Sequence, residues 1–544
     1  MAHDPVPVDH DWNTLITSGG YVGEEMQAEF GRLPPAFLPI GAAFVIQHQL
    51  SQIADRRNKW LSLPHDYEIT EPQRRILEAG GVRTVFVDPR SSLGLSVFHT
   101  VLEIGPDKPL EILHGDTLVI APAQPTDDAL AVGPVTEQYR WGLVDTDGTL
   151  ISGVRDADRS DALTAHSRIL TGYFAIREPW RLLKCLAARD FAFTRALDTY
   201  CQEKRVRAQT RLQTLDCGHL KTFYASRRSL ASARHFNAIG VDGGVVRKRS
   251  HDHRKIDAEA NWLRSAPADL QPFTVRLIED PGTPASGEYR TLYTSYPTVA
   301  ELYLARSSRF VWRRVLDSCL EYLTLAAGHV EPGRDSSFHW LVAGKLRERL
   351  GGYPATLPDR AAALTINGRG VGSLDSIAAA LEREIAAAPR HPACIMHGDF
   401  CFSNMLFDLR SDRIQLIDPR GLIGDEATMY GDIRYDIAKL GHSIVGRYDQ
   451  IVGEGLRDGG TGPDFVLTIP EDPLRDWLER QFLAAQAAGV EFRDRAVMAA
   501  MVSLFVSMIP LHADDPRRQR ALLANGLRLY DRFFGADGPR DGRA

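Results

Sequence analysis

Residues 395–408 read IMHGDFCFSNMLFD, and residues 414–421, after a short polar turn, read IQLIDPRG. The apolar segments MLFD and IQLID have the composition of two paired strands. Antiparallel pairing would bring Asn404, just before the first strand, and Asp418, at the end of the second, to the same end of one hairpin. The stretch therefore predicts a hairpin with two oxygen-bearing side chains at one end.

The residue types around this hairpin suit transfer of a phosphoryl group from ATP. That reaction requires a carboxylate that orients the attacking hydroxyl or accepts its proton, and oxygen ligands that hold Mg²⁺ on the phosphates. We expect Asp399, in the loop before the hairpin, to be the base, and Asn404 and Asp418 to bind Mg²⁺. His397 is expected to be a structural member of the same loop.

The pattern HGDxxxxN followed by a strand-ending Asp resembles the signature of the aminoglycoside phosphotransferase and choline kinase family, over roughly residues 219–535. The resemblance implies an α+β, protein-kinase-like fold, the cofactors ATP and Mg²⁺, and a small hydroxylated acceptor. It also implies that Lys248, in VVRKRS, contacts the nucleotide phosphates and that Glu259 on the following helix holds it. A solvated lysine on an edge strand is the alternative interpretation of Lys248.

The acceptor site is less defined by the sequence. Asp425, Glu426 and Tyr430 are candidate acceptor contacts, although a surface loop explains them equally well. An acidic residue there would suit an amino-bearing acceptor, but the residues do not decide its identity. Asp432 and Asp436 are expected to be structural, holding the catalytic loop or capping a helix.

The first part of the chain alternates strand-like and helix-like segments. This alternation predicts an open, mainly parallel α/β sheet of the Rossmann-like type. Two of the helices are expected over residues 44–56 and 180–200, and the proline-rich run RLPPAFLPIG, residues 32–41, is expected to be a loop.

This region resembles the sugar-phosphate and choline-phosphate nucleotidyltransferases. The resemblance rests on three segments: LITSGGYVGEEMQAEFGRLPPAFLPIG (15–41), LHGDTLVI (113–120) and TLDCGH (214–219). It implies that Gly19 and Gly20 cradle the phosphates of CTP or another nucleoside triphosphate, and that Asp116 and Asp216 bind Mg²⁺ on it.

Three residues of this region depart from the nucleotidyltransferase pattern. Where the family has basic side chains, this chain has Glu24, Glu25 and Ala36. Carboxylates without a compensating lysine would repel an anionic triphosphate. Whether the region is catalytic therefore stays open between an active enzyme and a binding module.

Length and composition limit the remaining possibilities. The chain of 544 residues is expected to form two domains, residues 1–228 and 229–544. Its 64 Lys and Arg against 70 Asp and Glu give a net charge of −6, which disfavours a nucleic-acid partner. Six cysteines without a CxxC pair, an acidic start without a signal-peptide pattern, and an interrupted apolar run at Val497–Leu511, expected to be a buried helix, favour the cytoplasm and no membrane span. The oligomeric state is left open.

The favoured hypothesis is a small-molecule kinase that transfers the ATP γ-phosphoryl group to a hydroxyl of an amino-alcohol, a sugar or a similar acceptor. The pairing of the two resemblances suggests a second step, in which the N-terminal domain joins a nucleotide to the phosphorylated product for capsular or other surface polysaccharides. Three alternatives remain: an inactive N-terminal binding module beside the kinase, an antibiotic-modifying phosphotransferase, and a non-catalytic interaction protein, which is the least favoured.

Overall fold

The computed structural model describes residues 11–41, 43–135, 139, 142–158, 164, 166–233, 238–242, 244–278 and 287–535. The chain divides into two compact units, residues 1–228 and 229–544.

The N-terminal unit is organised by a sheet whose described part has nine strands. Four strands at one side are mutually parallel, so their carboxyl ends meet at one edge, whereas the strands beyond them pair mostly in antiparallel fashion. In spatial order the strands are Val82–Val87, Asn58–Pro64, Asn13–Thr17, Leu110–His114, Arg168–Ile176, Ala129–Pro134, Arg207–Gln209, Leu150–Asp156 and Gly142–Asp147.

The expectation of a mainly parallel sheet is wrong, because the sheet is mixed. Arg168–Ile176 runs antiparallel to both Leu110–His114 and Ala129–Pro134. Parallel neighbours need a long crossover connection, whereas Gly142–Asp147 and Leu150–Asp156 are joined by a tight turn at Gly148 and must be antiparallel.

Helices and short strands complete this unit. The expected helix 180–200 is split in two, because Asp190 and Phe191 adopt left-handed backbone angles, φ 49° and 59°. The proline-rich run contains a short 3₁₀ turn at Pro35–Phe37 rather than only a loop. The helices are Glu24–Phe30, Val45–Gln52, Glu71–Ala79, Leu93–Ile104, Pro179–Ala188, Phe193–Glu203 and Leu220–Ala233, and the short strands pair Pro39–Ile40 with Ala43–Phe44 and Thr117–Val119 with Thr214–Asp216.

A buried ion pair lies at the centre of the sheet. Glu111, fully buried on its strand, accepts two hydrogen bonds of 3.0 Å from the Arg56 guanidinium. The hydroxyls of Thr14 and Tyr173 donate to the same carboxylate at 2.8 and 3.0 Å. Both charges are therefore compensated where water is excluded, which is the condition under which a buried pair is tolerated.

The C-terminal unit begins with a small antiparallel sheet followed by a helix. The sheet order is Ala238–Asp242, Val245–Arg249, Glu288–Leu292 and Leu277–Ile278, and the helix His253–Ser265 follows the second strand. The expected strand 236–239 lies partly outside the described residues. A separate hairpin pairs Met405–Asp408 with Arg413–Leu416, so the expected strand pair is present, although its second strand ends two residues before Asp418.

The rest of the C-terminal unit is predominantly helical. A π-helical turn, Trp340–Gly344, leads directly into the short helix that follows it. The helices are Val299–Leu304, Arg309–Gly328, Lys345–Leu350, Leu374–Ala387, Ile433–Ile444, Tyr448–Gly453, Pro473–Leu483, Arg495–Ser507 and Pro516–Phe534, with 3₁₀ turns at Gln271–Phe273, Phe402–Asn404 and Ile509–His512. The short strands are Val330–Asp335, Leu364–Ile366, Arg369–Gly372, Pro392–Ile395, Leu422–Ile423, Glu426–Ala427, Tyr430–Gly431, Asp464–Phe465, Gln486–Ala487 and Val490–Glu491.

One helical segment is apolar enough, by length and composition, to cross a membrane. It covers Arg495–His512, with a mean hydropathy of 1.5, and 67% of it is buried inside the protein. Ala496 to Val506 are all buried, which agrees with the expected core helix. The six cysteines are free thiols and buried.

Removing the Glu111 carboxylate should destabilise the N-terminal unit strongly. Glu111→Ala leaves the Arg56 guanidinium buried without its main counterion, and we expect the free energy of unfolding to fall by about 3–5 kcal/mol in urea denaturation. The matched control is Glu203→Ala, which removes the exposed partner of Arg181 and should cost about 1 kcal/mol or less. Equal losses in the two variants would contradict the importance of the buried pair.

Candidate functional site

The C-terminal unit contains a cavity of about 820 Å³. Its walls come from the small sheet, the helix after it, the hairpin, the loop before the hairpin and the C-terminal helices. The residues expected from the sequence to bind nucleotide, metal or acceptor hydroxyl in this unit all line it: Lys248, Glu259, Asp399, Asn404 and Asp418.

Lys248 joins two parts of the cavity wall. Its Nζ atom lies 2.7 Å from Glu259 Oε2 and 2.9 Å from Asp418 Oδ1. The Lys248 and Glu259 side chains are only 7% and 2% exposed, whereas Asp418 is 38% exposed toward the cavity. Tyr289 on the neighbouring strand donates its hydroxyl to Glu259 at 3.0 Å. Lys248 is thus buried and paired, which argues against a solvated edge-strand lysine.

The charges of this cluster stabilise one another. Burial alone would lower the pKa of Lys248, but the carboxylates of Asp418 and Glu259 outweigh burial and raise it. Burial raises the pKa of Glu259, and the Lys248 ammonium opposes that rise. Lys248 is therefore a cation at neutral pH, and its contacts with Glu259 and Asp418 fix the position of its ammonium group.

Asp399 lies at another part of the cavity wall and is held by two groups. Its Oδ1 atom is 2.7 Å from Lys439 Nζ, and its Oδ2 atom accepts a hydrogen bond of 2.8 Å from the Asn404 amide. Burial tends to raise the pKa of Asp399, but the Lys439 ammonium and the Asn404 amide lower it below its ordinary value. The carboxylate is ionised and oriented by these two donors.

The loop that carries Asp399 is anchored by buried groups. Asp436, fully buried on helix Ile433–Ile444, accepts backbone hydrogen bonds from His397 at 2.6 Å and Gly398 at 2.8 Å. The Arg420 Nε atom donates to the Gly398 carbonyl at 3.1 Å. Gly398 adopts φ +77°, and a Cβ there would lie 2.6 Å from the Arg420 Cβ, so only glycine fits.

His397 has a packing role in this loop. Its ring lies edge-on to Trp262, and burial lowers its pKa to about 4. Its Nδ1 atom faces the Asp399 backbone N–H at 3.3 Å. A neutral imidazole in this position supports the loop, as the sequence led us to expect.

The hairpin brings Asn404 and Asp418 to one end. Met405 pairs with Leu416, and the backbone N–H of Ile417 donates to the backbone carbonyl of Asn404 at 3.0 Å. The side-chain amide nitrogen of Asn404 donates to Asp399, so the side-chain carbonyl oxygen of Asn404 is directed away from Asp399. Amide and carboxylate oxygens at one hairpin end are ligands that suit Mg²⁺, so the residues present fit the expected metal.

The backbone at Asp418 is left-handed, with φ +57°. The neighbouring Gly421 also has a positive φ, 63°, and a Cβ on it would collide with the Ala258 carbonyl on the helix that carries Glu259. The end of the hairpin that carries Asp418 is therefore packed directly against that helix.

Two residues of this site were missed in the sequence. Lys439 pairs with Asp399, and Arg420 supports the loop through Gly398. Lys439 follows Asp436 by three positions, so a predicted helix would have placed both on one face. No comparable local signal marks Arg420, whose contact depends on how the hairpin folds back.

Two of the three candidate acceptor contacts form ion pairs with arginines. Asp425 lines the cavity but lies 3.0 Å from the Arg254 guanidinium, and Glu426 lies 2.7 Å from Arg334. Tyr430 lies on a short strand paired with Pro392–Ile395. These carboxylates are therefore not free counterions for an amine.

In the N-terminal unit, Gly19 and Gly20 follow the strand Asn13–Thr17, at its carboxyl end. A Cβ on Gly19 would lie 2.6 Å from Ser96 Oγ, so glycine is required there by close packing. Gly20 has more space, because its Cβ would approach only the Pro89 carbonyl, at 3.9 Å.

Asp116 and Asp216 lie on neighbouring segments. Thr117 pairs with Asp216 across two short antiparallel strands, and the Cys217 N–H donates to the Asp116 carbonyl at 2.7 Å. Burial raises the pKa of Asp116, and the Asp216 carboxylate adds to that rise. The two carboxylates repel each other, and a divalent cation between them would relieve that repulsion.

Asp216 also has close protein partners. Its Oδ2 atom is 2.8 Å from His219 Nδ1, and the Thr222 hydroxyl donates to it at 2.5 Å. The hydrogen bond to Asp216 raises the pKa of His219. Among the residues that the structure describes, no group of three or more His, Cys, Asp or Glu side chains forms a metal site.

The atypical residues of this unit have structural explanations. Ala36 is fully buried in the 3₁₀ turn, and its N–H donates to Ser18 Oγ at 3.0 Å. Glu24 and Glu25 are exposed in the first turn of the helix Glu24–Phe30, where the helix dipole favours acidic side chains. Arg32 is engaged with Asp66 at 2.8 Å and lies over the Tyr21 ring.

Residues 338–483 match the model of the phosphotransferase enzyme family. This match confirms the family expected for the C-terminal domain and the phosphotransferase class of enzyme. Asp399, Asn404 and Asp418 lie inside the matched segment, and Lys248 and Glu259 precede it. No curated protein gives a significant match.

Solved structures similar to the N-terminal region are nucleotidyltransferases. A UDP-glucose pyrophosphorylase complexed with UDP-glucose is 14% identical, covering 41% of this chain and 99% of that chain, with a TM-score of 0.33. The UDP-glucose pyrophosphorylase from Acinetobacter baumanii is 13% identical, covering 41% and 95%, with a TM-score of 0.33. The inositol-1-phosphate CTP transferase from T. maritima is 12% identical, covering 40% and 95%, with a TM-score of 0.32.

The low pKa of His397 should make stability depend on pH. A folded-state pKa of about 4, below the ordinary value of about 6.5, means that the unfolded chain gains a proton first as the pH falls. Its contribution to the free energy of unfolding is complete above pH 6.5 and is lost toward pH 4, by about 2 kcal/mol at pH 5.

Urea unfolding at pH 7.5 and pH 5 measures this dependence. In His397→Asn, which keeps an acceptor but does not titrate, the fall in stability between the two pH values should be smaller by about 2 kcal/mol. The control is His251→Asn, an exposed residue of the same unit, which should leave the pH dependence unchanged. An unchanged fall in His397→Asn would contradict the buried neutral imidazole.

Proposed function

We propose that the C-terminal unit is a kinase that transfers the γ-phosphoryl group of ATP to a hydroxyl of a small acceptor. The observation that carries this proposal is the Lys248, Glu259 and Asp418 cluster, joined by contacts of 2.7 and 2.9 Å in a cavity that Asp399 and Asn404 also line. The match to the phosphotransferase family supports it independently.

Each residue has a defined task in this proposal. Lys248 contacts the α- and β-phosphates and is held by Glu259. Asn404 and Asp418 would hold Mg²⁺, which would neutralise the charge of the nucleotide phosphates. Asp399 orients the acceptor hydroxyl and accepts its proton as the oxygen–phosphorus bond forms and the bond to ADP breaks.

The groups around Asp399 suit this task. Lys439 and the Asn404 amide fix the carboxylate at 2.7 and 2.8 Å and keep it ionised. Asp436 and Arg420 hold the loop beneath it. Most of the rate enhancement in such transfers comes from positioning and charge stabilisation, so rigid support of these groups is the protein's main contribution.

The N-terminal unit is proposed to act on the product of the kinase. The pairing of Thr117 with Asp216, which places Asp116 and Asp216 on adjacent segments, favours a divalent cation with a nucleoside triphosphate such as CTP. The phosphorylated product would attack the α-phosphate, and pyrophosphate would leave. Supply of activated groups for capsular polysaccharides, in the cytoplasm, is the corresponding biological role.

An inactive binding module is the alternative for this unit. Ala36 has an uncharged side chain and Arg32 is paired with Asp66, so neither supplies the cation expected near the phosphates. For the kinase unit, modification of an antibiotic is the alternative, and the choice depends on the acceptor.

Replacing the base should abolish phosphoryl transfer while sparing nucleotide binding. Asp399→Asn removes the proton acceptor, and acceptor-dependent ADP release should fall about 10²–10⁴-fold. A panel of amino-alcohols, sugars and aminoglycosides with ATP and Mg²⁺ provides the assay, and ATP binding is measured by calorimetry. As a control, Asp412→Asn, a half-exposed residue in the turn of the same hairpin, should keep wild-type turnover. Full activity in Asp399→Asn would refute its role as base.

A substitution in the N-terminal unit should remove its proposed activity without changing that of the C-terminal unit. Asp116→Asn should abolish pyrophosphate release from CTP or another triphosphate supplied with the phosphorylated product, and leave ADP release unchanged. Asp107→Asn, an exposed carboxylate of the same unit, is the matched control. Pyrophosphate release that survives Asp116→Asn would contradict the proposed metal role, and its absence in the wild type would favour the binding module.

A further inference from the structure

Lys345 is a buried cation in the cavity that the kinase reaction does not use. It begins the helix Lys345–Leu350, directly after the π-helical turn Trp340–Gly344, and it lines the cavity. Its Nζ atom is buried and has no hydrogen-bond partner among the described residues. An ammonium group with three donors and no acceptor is unfavourable away from water, unless another group compensates it.

Two aromatic rings provide part of that compensation. Lys345 Nζ lies 5.3 Å from the ring centroids of Trp340 and Tyr435. A cation over an aromatic face is stabilised electrostatically, but the ring accepts no conventional hydrogen bond. The rings therefore hold the ammonium in place and leave its donors for another group.

The same rings place Lys345 on the Asp399 side of the cavity. The Tyr435 ring also lies 5.2 Å from the Arg420 guanidinium, which supports the loop of Asp399 through Gly398. By contrast, Lys248 and Lys255 belong to the strand and helix that form the nucleotide side. Lys345 is thus placed to contact the acceptor rather than the ATP phosphates.

Three of the carboxylates that line the cavity are engaged by other cations: Asp399 by Lys439, Asp418 by Lys248, and Asp425 by Arg254. Glu348 lies three positions after Lys345 on the same helix and is exposed. None of these acids forms an ion pair with Lys345.

The geometry points to an acceptor that carries an anionic group, a carboxylate or a phosphate, bound by the Lys345 ammonium while its hydroxyl faces Asp399. This inference rests on the proposed kinase function and names its substrate class. Trp340 and Leu511, 38% and 58% exposed at the cavity, offer an apolar surface for the body of the same molecule. An amine-bearing acceptor would instead meet an uncompensated positive charge.

The test compares four probes that share one ring and differ in charge: glucose, glucosamine, glucuronate and glucose 6-phosphate. Their binding to the full chain is measured by calorimetry, with and without ATP and Mg²⁺. In the wild type, glucuronate or glucose 6-phosphate should bind at least about ten-fold more tightly than glucose, and glucosamine most weakly. The tighter of the two anions identifies the group as carboxylate or phosphate.

Three variants assign the preference to Lys345. Lys345→Met should abolish the difference between anionic and neutral probes, and Lys345→Arg, which keeps the charge, should retain most of it. Lys255→Met, a cavity lysine on the nucleotide side, should leave it unchanged. Thermal unfolding of each variant verifies that it is folded.

The opposite results would overturn the inference. In the wild type, such a result is glucose or glucosamine binding as tightly as the anionic probes or more tightly, or no preference for the anionic probes up to millimolar concentrations. In the variants, it is a preference for anionic probes that survives in Lys345→Met or disappears in Lys255→Met. ATP binding, measured in the same samples, reports on the kinase separately. Loss of ATP binding with an intact anion preference would refute the proposed function alone.

Discussion

The Lys248 ammonium, buried between two carboxylates, is the interaction on which the kinase site depends. Glu259 fixes it from the helix behind the strand, and Asp418 fixes it from the hairpin. Because Glu259 and Asp418 together compensate the Lys248 charge where water is excluded, the strand, the helix and the hairpin meet at this point. The same contacts set the distance between Lys248 and Asp418.

The sequence specified this site better than it specified the fold of the first unit. Asp399, Asn404 and Asp418 lie within one short stretch, so the local strand pattern was sufficient to predict the hairpin that unites the last two. Lys248 and Glu259 are both distant in sequence from this stretch, and only the family resemblance predicted that they belong to the site. Lys439 was missed although its spacing from Asp436 places both on one face of a helix, whereas the contact of Arg420 with the Gly398 carbonyl leaves no local signal.

The mixed sheet of the N-terminal unit could not be predicted from the sequence pattern. Alternating strand and helix patterns indicate parallel strands only when helices form the connections, and residues 142–156 form a hairpin instead. The split of the helix expected over residues 180–200 depends on left-handed backbone angles at Asp190 and Phe191, and such an angle is unusual for a bulky residue such as Phe. The burial of Ala36 beside Ser18 depends on tertiary packing that a sequence pattern does not encode.

Gly421 has a consequence for how this enzyme can evolve. A Cβ at this position would lie 2.3 Å from the Ala258 carbonyl oxygen, and φ is positive, so every other residue would push the hairpin end away from the helix. The position therefore tolerates no drift, although Gly421 has no chemical role. In a saturation library selected for function, such a position would be as invariant as the base itself, and invariance alone would not separate packing from chemistry.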